Sequence, residues 1–346
     1  MTVVLKLGSS LVVGRGGTVR RKLLADRGRE IRELVVGGEP VCVVSSGAIA
    51  LGLPRLGLDR RPRSVAKLQA ASALGQARLQ ALWDGELGRA GVAAAQVLLT
   101  AGDIADRKAY VNARGALSAL LRLGVVPVVN ENDATATDEI TFGDNDVLAA
   151  QVAILLRARL LVLLTEVEGV YSRTPGHPEA TLLEEWSGTA EFGSGTALGR
   201  GGMRSKVIAG EMAAAAGIPT IVAAGAGDVV LRPIVAGEGG GTRFRASEQA
   251  PSAFKLWLRF ARPPAGRIHV DEGARAAVAE QGATLLAVGV ARVEGSFEPG
   301  DAVELIGPDG VPFAKGIAGA SVVELAGRPR GVEAVHRDRL VLYHAR

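Results

Sequence analysis

The sequence predicts an α/β chain: an open, mostly parallel sheet sandwiched by helices over residues 1–262, then a small, mainly β domain over residues 267–346. Three observations carry that expectation. Short apolar runs alternate with amphipathic, helix-favouring segments through the first two thirds of the chain. The runs are continuously apolar rather than alternating, as strands covered on both faces must be. The pattern then changes at Pro263-Pro264-Ala265-Gly266, a breaker cluster that reads as a linker. With 346 residues, 48% of them hydrophobic and 22% charged, the chain has the length and apolar content for two cores.

Taken in order, Val3 to Leu7 is the first run, rich in Val and Leu and ended by Gly8. Lys22 to Val36 follows with helical periodicity, then the run Val41 to Val44 and a long helical segment, Val65 to Leu87. Ala93 to Leu98 and Val125 to Val129 are the next strands, separated by one helix over Ile104 to Leu123. Asp146 to Leu156 and Ser205 to Ala216 read as helices, with strands Leu160 to Leu164 and Thr220 to Ala223. The glycine run Gly237 to Gly241 reads as a flexible loop. Beyond the breaker cluster there is one helix-like stretch, Glu272 to Gln281, and the strand-like runs Leu285 to Val290, Ala302 to Ile306 and Leu340 to Tyr343. Pro299-Gly300-Asp301 and Gly307-Pro308-Asp309-Gly310 punctuate them as turns.

Composition excludes several classes of function. No stretch approaches 18 consecutive apolar residues, so a membrane span is not expected. The amino terminus lacks a secretory pattern, and Cys42, the only cysteine, permits neither an intrachain disulfide nor a cysteine-built zinc site. Both point to a cytoplasmic protein. Residues 267–346 carry 9 basic and 11 acidic side chains and only Phe297, Phe313 and Tyr343 as aromatics, which argues against nucleic acid as the main partner. The remainder is moderately basic, as suits an anionic small ligand. Only seven of the 40 basic residues are lysine, so a lysine inside a glycine-rich motif stands out.

Five polar clusters lie at strand ends or helix starts, where open α/β sheets bind ligands. Lys6-Leu7-Gly8-Ser9-Ser10 ends the first strand; glycine lets backbone N–H groups close on a phosphate while lysine supplies a point charge. No Walker loop is present. Ser45-Ser46-Gly47-Ala48-Ile49-Ala50 repeats the geometry after the second strand. Asn130-Glu131-Asn132-Asp133 is four polar residues at a strand end, either a solvated loop or a site for groups such as a substrate ammonium. In Phe142-Gly143-Asp144-Asn145-Asp146, helix capping accounts for one of three polar residues and leaves two. Gly199-Arg200-Gly201-Gly202-Met203-Arg204-Ser205-Lys206 opens a helix and suits a nucleotide phosphate. Thr165-Glu166 adds a polar pair after a further strand.

Together these clusters closely resemble the glutamate 5-kinase family of the amino acid kinases, and the tail from Gly266, with Val270-Asp271-Glu272-Gly273-Ala274 and Val335-His336-Arg337-Asp338, resembles the PUA domain that bacterial members carry. The resemblance implies transfer of the ATP γ-phosphoryl group to the side-chain carboxylate of L-glutamate. That carboxylate is already ionised at neutral pH, so the reaction needs no general base, in keeping with His177 as the single histidine of residues 1–266. By the same resemblance Lys6 and Lys206 hold phosphates and cover the transferring group, and Asp144 and Asp146 orient them. Ser46, Gly47, Asn130, Asp133 and Asn145 take glutamate. Gly8, Ser9, Thr165, Glu166, Arg200, Gly201, Gly202, Met203, Arg204 and Ser205 join the two lysines around the nucleotide. Mg²⁺ is implied as the counter-ion of ATP, with no dedicated protein metal site. Proline as a feedback inhibitor and a homo-oligomeric assembly are implied too.

Three departures accompany the resemblance: Glu166 where the family has Asp, Arg200 and Arg204 in the glycine loop, and Ser205 for Thr. The rival within the fold is an acetylglutamate or aspartate kinase. The rival of another class is an RNA-binding PUA protein.

Overall fold

Runs of Val, Leu and Ile with no polar alternation must be covered on both faces, and the first two thirds of the chain does so by wrapping helices around a parallel sheet. The structure is a computed structural model describing residues 1–14, 17–58, 60–135, 145–175, 177–188, 202–227, 229–248, 252–260 and 262–343. It divides into two units, Met1–Ala250 and Pro251–Arg346.

In the first unit the elements run β1 (Val3–Leu7), α1 (Ser9–Val12), α2 (Arg21–Val36), β2 (Val41–Ser45), α3 (Ala48–Gly52), α4 (Val65–Arg89), β3 (Ala94–Leu99), α5 (Ala101–Ala105), α6 (Arg107–Arg122) and β4 (Val126–Glu131). They continue with α7 (Asn145–Leu156), β5 (Leu160–Thr165), α8 (Met203–Ala215), β6 (Thr220–Ala224), α9 (Leu231–Ala236) and β7 (Thr242–Phe244). Among the described residues the sheet order is β3-β4-β2-β1-β5-β6-β7. All pairs are parallel except β6 with β7. In register, Leu7 lies beside Ser45 on one side and Leu164 on the other, so the carboxyl ends of β1, β2 and β5 are level. The chain leaves β1 toward β2 and returns on the opposite side as β5. That divergence is the topological switch point at which open sheets bind ligands.

One helix differs from the sequence expectation. The helix expected over Ile104 to Leu123 is broken at Asp106, whose extended backbone (φ −76°, ψ 125°) lets its carboxylate accept from Ala109 N at 2.7 Å and cap α6. The run Gly237 to Gly241, expected as a loop, connects α9 to β7. Gly237 ends α9 with φ +82°, and Arg243 Nη2 donates to the Gly237 and Gly239 carbonyls at 2.9 and 3.2 Å.

The helices α3 and α4 approach backbone to backbone. A Cβ at Gly75 would lie 1.8 Å from the Ala48 carbonyl oxygen, and one at Gly52 would lie 1.8 Å from that of Ala71. Trp83 of α4 is wholly buried, and its Nε1 donates to Ser45 Oγ at 2.8 Å, tying the helix to the end of β2.

The second unit contains α10 (Ala253–Phe260), β8 (Gly266–Val270), α11 (Glu272–Gln281), β9 (Leu285–Leu286), β10 (Val290–Gly295), β11 (Ala302–Ile306), β12 (Pro312–Ala318), α12 (Val322–Ala326) and β13 (Glu333–Leu342). Its sheet order is β10-β8-β11-β12-β13-β9, antiparallel apart from the β11–β8 pair. Ile268, Phe297, Val303, Leu305, Leu325 and Val335 fill the core. The run expected from Leu285 to Val290 is interrupted by a 3₁₀ turn at Ala287–Gly289. The division at residue 251, ahead of the expected linker at 263–266, follows from α10. Lys315 Nζ on β12 donates to the carbonyls of Arg259 and Arg262, each at 3.0 Å, and Arg259 reaches the Leu342 and Tyr343 carbonyls.

Candidate active site

Lys6 is the penultimate residue of β1, and a lysine within five buried strand residues requires a counter-charge. Asp146 supplies it from the first turn of α7. Lys6 Nζ lies 2.5 Å from Asp146 Oδ1, and Lys206 Nζ, from the first turn of α8, lies 3.0 Å from Oδ2. Ser205 Oγ donates to the same Oδ2 at 2.7 Å. Asp146 has no exposure, and each lysine is 5% exposed. Burial alone would raise the Asp146 carboxyl; Lys6 and then Lys206 outweigh it, so the group is held below the usual carboxylate range. The result is one ionised carboxylate holding two ammonium groups. Gly202, extended and without a side chain, precedes α8, leaving that helix's first N–H groups without a side-chain cap.

A second cluster forms at the end of β4. Asn130 Oδ1 accepts from Asn145 Nδ2 at 3.0 Å, and Asn130 Nδ2 donates to Gln76 Oε1 of α4 at 2.8 Å. Asp133 Oδ2 accepts from Ser72 Oγ, also of α4, at 2.6 Å. Burial raises the Asp133 carboxyl, while the Ser72 hydroxyl and the charge of Arg61 pull it back without cancelling the rise. Asn145 Oδ1 is buried and has no hydrogen-bond partner among the described residues. An acceptor left bare in such a place is complementary to a donor.

Ser46 N donates to the Leu7 carbonyl at 3.2 Å, placing the Ser46-Gly47 turn directly beside the end of β1. Gly47 has φ +122°, a backbone conformation that favours glycine, while a Cβ there would meet Val12 at an ordinary contact distance of 3.4 Å. Gly8, the extended residue before α1, has room around it: a Cβ would come no nearer than 3.7 Å to its neighbours, one of them Lys6 Nζ at 3.9 Å. Ser9 is exposed in the first turn of α1. Thr165 ends β5, and its carbonyl accepts from Gly225 N at 2.7 Å. Glu166 is half exposed and bonded to Arg20 Nη2 at 2.9 Å.

The structure thus brings Lys6, Asp146, Ser205 and Lys206 into contact, and joins Asn130 to Asn145. Met203 is half-buried and Arg204 exposed on the outer face of the same helix turn. Asp144, Arg200 and Gly201, which the sequence also proposes, lie outside the described residues. Sequence reasoning missed Ser72, Gln76 and Arg20. For Ser72 and Gln76 a signal was present: polar residues four apart on the helical face that also carries Leu68, Leu79 and Trp83. Arg20 had none. Among the described residues no group of three or more His, Cys, Asp or Glu side chains is placed to hold a metal ion.

Comparison with known proteins shows the family. A family model for the amino acid kinase family matches residues 1–224, and one for the PUA domain matches residues 266–337. A glutamate 5-kinase of Methylobacillus flagellatus is 41% identical, the alignment covering 98% of this chain and 97% of the relative. One from Gloeobacter violaceus is 44% identical over 99% of both. Among solved structures, an isopentenyl phosphate kinase (23% identity, TM-score 0.52) matches 70% of this chain and 99% of its own. A Giardia lamblia carbamate kinase bound to AMP-PNP (18%, 0.52) matches 71% and 98%. These two attest to the fold alone.

Proposed function

Because the chain belongs to the glutamate 5-kinases of the amino acid kinase family, we propose that it transfers the γ-phosphoryl group of ATP to the side-chain carboxylate of L-glutamate. The products are glutamyl 5-phosphate and ADP, and the reaction is the first of proline biosynthesis. The observation that carries the site assignment is the buried set of Lys6, Asp146 and Lys206 at the carboxyl edge of the sheet.

The chemistry asks for alignment and charge cover rather than proton removal. The acceptor carboxylate is ionised at neutral pH and attacks without a base. The transferring group spreads negative charge over its oxygens, and two ammonium groups held beside each other offset it. Asp146, kept ionised by both lysines, serves as their template. Lys6 and Lys206 bind the phosphates, assisted by backbone N–H groups at Gly8 and Gly47 and at the start of α8, where Gly202, Met203, Arg204 and Ser205 lie. Glutamate is placed by Ser46, Gly47, Asn130, Asp133 and Asn145, its ammonium group meeting the carboxylate of Asp133 and the bare oxygen of Asn145. Thr165 belongs to the nucleotide side. Glu166 is already committed to Arg20, so any contact it makes with the nucleotide must compete with that ion pair. Ser9, Asp144, Arg200 and Gly201 keep the nucleotide-side and lysine-orienting roles that the family pattern implies.

Mg²⁺ fits as the counter-ion of ATP, held by phosphate oxygens and water, because both oxygens of Asp146 are engaged by cations and Ser205. Its chemistry would be neutralisation of phosphate charge. A homo-oligomeric state, a cytoplasmic location and inhibition by proline complete the reading. Among the described residues no helix is long and apolar enough to cross a membrane. Millimolar proline is expected to raise the glutamate concentration needed for half-saturation; an unchanged saturation curve removes that part.

The test is ATP-dependent acyl phosphate formation trapped with hydroxylamine, comparing L-glutamate, N-acetylglutamate and L-aspartate. Product with glutamate alone, lost in Lys206→Ala, is the expected result. Turnover of either alternative but not glutamate overturns the substrate and leaves the fold intact.

A further inference from the structure

Ser72 and Gln76 hold no role in the catalytic reading above. Four residues apart on α4, they share one face of the helix, and they are only 3% and 8% exposed. The same face carries the buried Leu68, Leu79 and Trp83. Polar groups set into an apolar stripe are costly unless their hydrogen bonds are made. Ser72 Oγ donates to Asp133 Oδ2 at 2.6 Å, and Gln76 Oε1 accepts from Asn130 Nδ2 at 2.8 Å.

Each contact occupies one half of a two-sided group and thereby decides which half remains. With its amide nitrogen held by Gln76, Asn130 turns its oxygen toward Asn145 and accepts from Nδ2 at 3.0 Å. Asn145 is left with a buried oxygen that has no partner among the described residues. Ser72 likewise leaves the second oxygen of Asp133 for another donor. Both outcomes are acceptors, and one of them carries charge. A free α-ammonium group, with three N–H donors and a positive charge, satisfies both. An acylated nitrogen has one N–H, no charge and added bulk. The contact of Gly75 with Ala48 sets α4 against the segment that carries Ser46 and Gly47, so the orienting face cannot slide freely.

Resting on the glutamate kinase reading, we propose that Ser72 and Gln76 are positioning residues that orient Asp133 and Asn145 as acceptors for the substrate ammonium, and so set selectivity for a free over an acylated α-amino group. They act through their partners and do not touch the substrate.

The experiment uses the full chain with Gln76→Met, Gln76→Glu and Ser72→Ala, assayed with glutamate, N-acetylglutamate and ATP. In Gln76→Met the KM for glutamate rises about tenfold or more, as for a lost hydrogen bond to a charged group, while the KM for ATP stays within about threefold. The ratio of kcat/KM for glutamate over N-acetylglutamate falls in step. Gln76→Glu, whose carboxylate still accepts from Asn130, recovers most of the loss. Asp133 is raised by burial and lowered by the Ser72 hydroxyl and by Arg61, so Ser72→Ala moves the acid limb of kcat/KM for glutamate to higher pH. An unchanged KM for glutamate in Gln76→Met, or equal losses for both substrates and kcat with no recovery in Gln76→Glu, overturns the proposal while the glutamate reading stands. Should Gln76→Met fail to fold, an unshifted acid limb in Ser72→Ala overturns it alone. Absence of glutamate turnover by the unaltered protein overturns both.

Discussion

Three glycines of one helix are expected to respond in opposite directions to the same substitution. At Gly75 an added Cβ would lie 1.8 Å from the Ala48 carbonyl oxygen and 2.7 Å from Gly52 N. A carbon–oxygen contact needs about 3.3 Å, so α3 and α4 must part by roughly 1.5 Å. The obstruction is backbone and cannot rotate away, which places Gly75→Ala near the top of the ~1–3 kcal/mol range for overpacking. Alanine returns about 1 kcal/mol of helix propensity. The net loss of about 2 kcal/mol corresponds to a fall of about 4–8 °C in the melting of the first unit. Because α3 begins directly after the Ser46-Gly47 turn, a displacement of order 1 Å reaches the site and lowers kcat/KM by up to about 10²-fold. The controls lie further along the same helix: a Cβ at Gly85 meets only the end of Arg89 at 3.8 Å, and one at Gly88 meets nothing within 4 Å. Gly88→Ala is therefore expected to stabilise by about 0.5–1 kcal/mol with activity unchanged. Differential scanning fluorimetry and the hydroxamate assay measure both effects. A Gly75→Ala protein that melts at or above the unaltered temperature with full activity refutes the steric reasoning.

The remaining predictions concern buried charge. Asp146 has a folded pKa below its unfolded value, so the unfolded chain binds more protons near pH 4; the stabilisation is complete above that range and is lost as pH falls through the folded pKa. Asp146→Asn should therefore be destabilised at neutral pH, lose about 10²-fold or more in kcat, and close the stability gap to the unaltered protein as pH is lowered from about 5 to 3. In the second unit burial lowers Lys315 to about 8. The folded state then binds fewer protons than the unfolded above pH 8, so urea stability of that unit should rise with pH from about 8 to 10; Lys315→Met should abolish the rise. Arg27 and Glu30 form a buried pair at 3.0 Å, and Glu30 Oε1 accepts from Val230 and Leu231 N at 2.6 and 2.8 Å. Arg27→Met strands that carboxylate and should cost about 3–5 kcal/mol in urea unfolding, much of it recovered in the Arg27→Met, Glu30→Gln double variant.

What the sequence makes legible is what short-range patterning controls. Val3–Leu7 was readable to the residue because a fully buried strand has no polar alternation and Gly8 ends it. β7 was not, since Thr242-Arg243-Phe244 is too short to show a period. Nor was the break at Asp106, where a single capping carboxylate outweighs a helical pattern that continues on both sides. The site divides the same way. Strand-end clusters are local and were seen, but Asp146 alone looks like an ordinary helix-start residue. The resemblance implies that it orients the lysines, but the contacts themselves appear only when the fold brings in Lys6, 140 positions earlier, and Lys206, 60 positions later. Ser72 and Gln76 show in the sequence only as polar residues on an apolar helix face; their partners, Asp133 and Asn130, are more than 50 positions away and appear only in the fold.

The choice of cation at Asp146 follows from the same geometry. Basic residues in this chain are overwhelmingly arginine, with seven lysines among 40, yet both groups on this carboxylate are lysine. A guanidinium is a broad planar fork suited to gripping a carboxylate by two bonds, which would occupy both oxygens of Asp146 with one residue. An ammonium is compact and takes one oxygen, so two can share the carboxylate. Held apart from a counter-charge, two such ammonium groups would repel by about 4 kcal/mol at 4 Å for an effective dielectric near 20. The carboxylate offsets that repulsion by drawing one ammonium group to each of its oxygens. Two ammonium groups, preorganised in this way before the anions arrive, are what joining a phosphoryl group to a carboxylate requires.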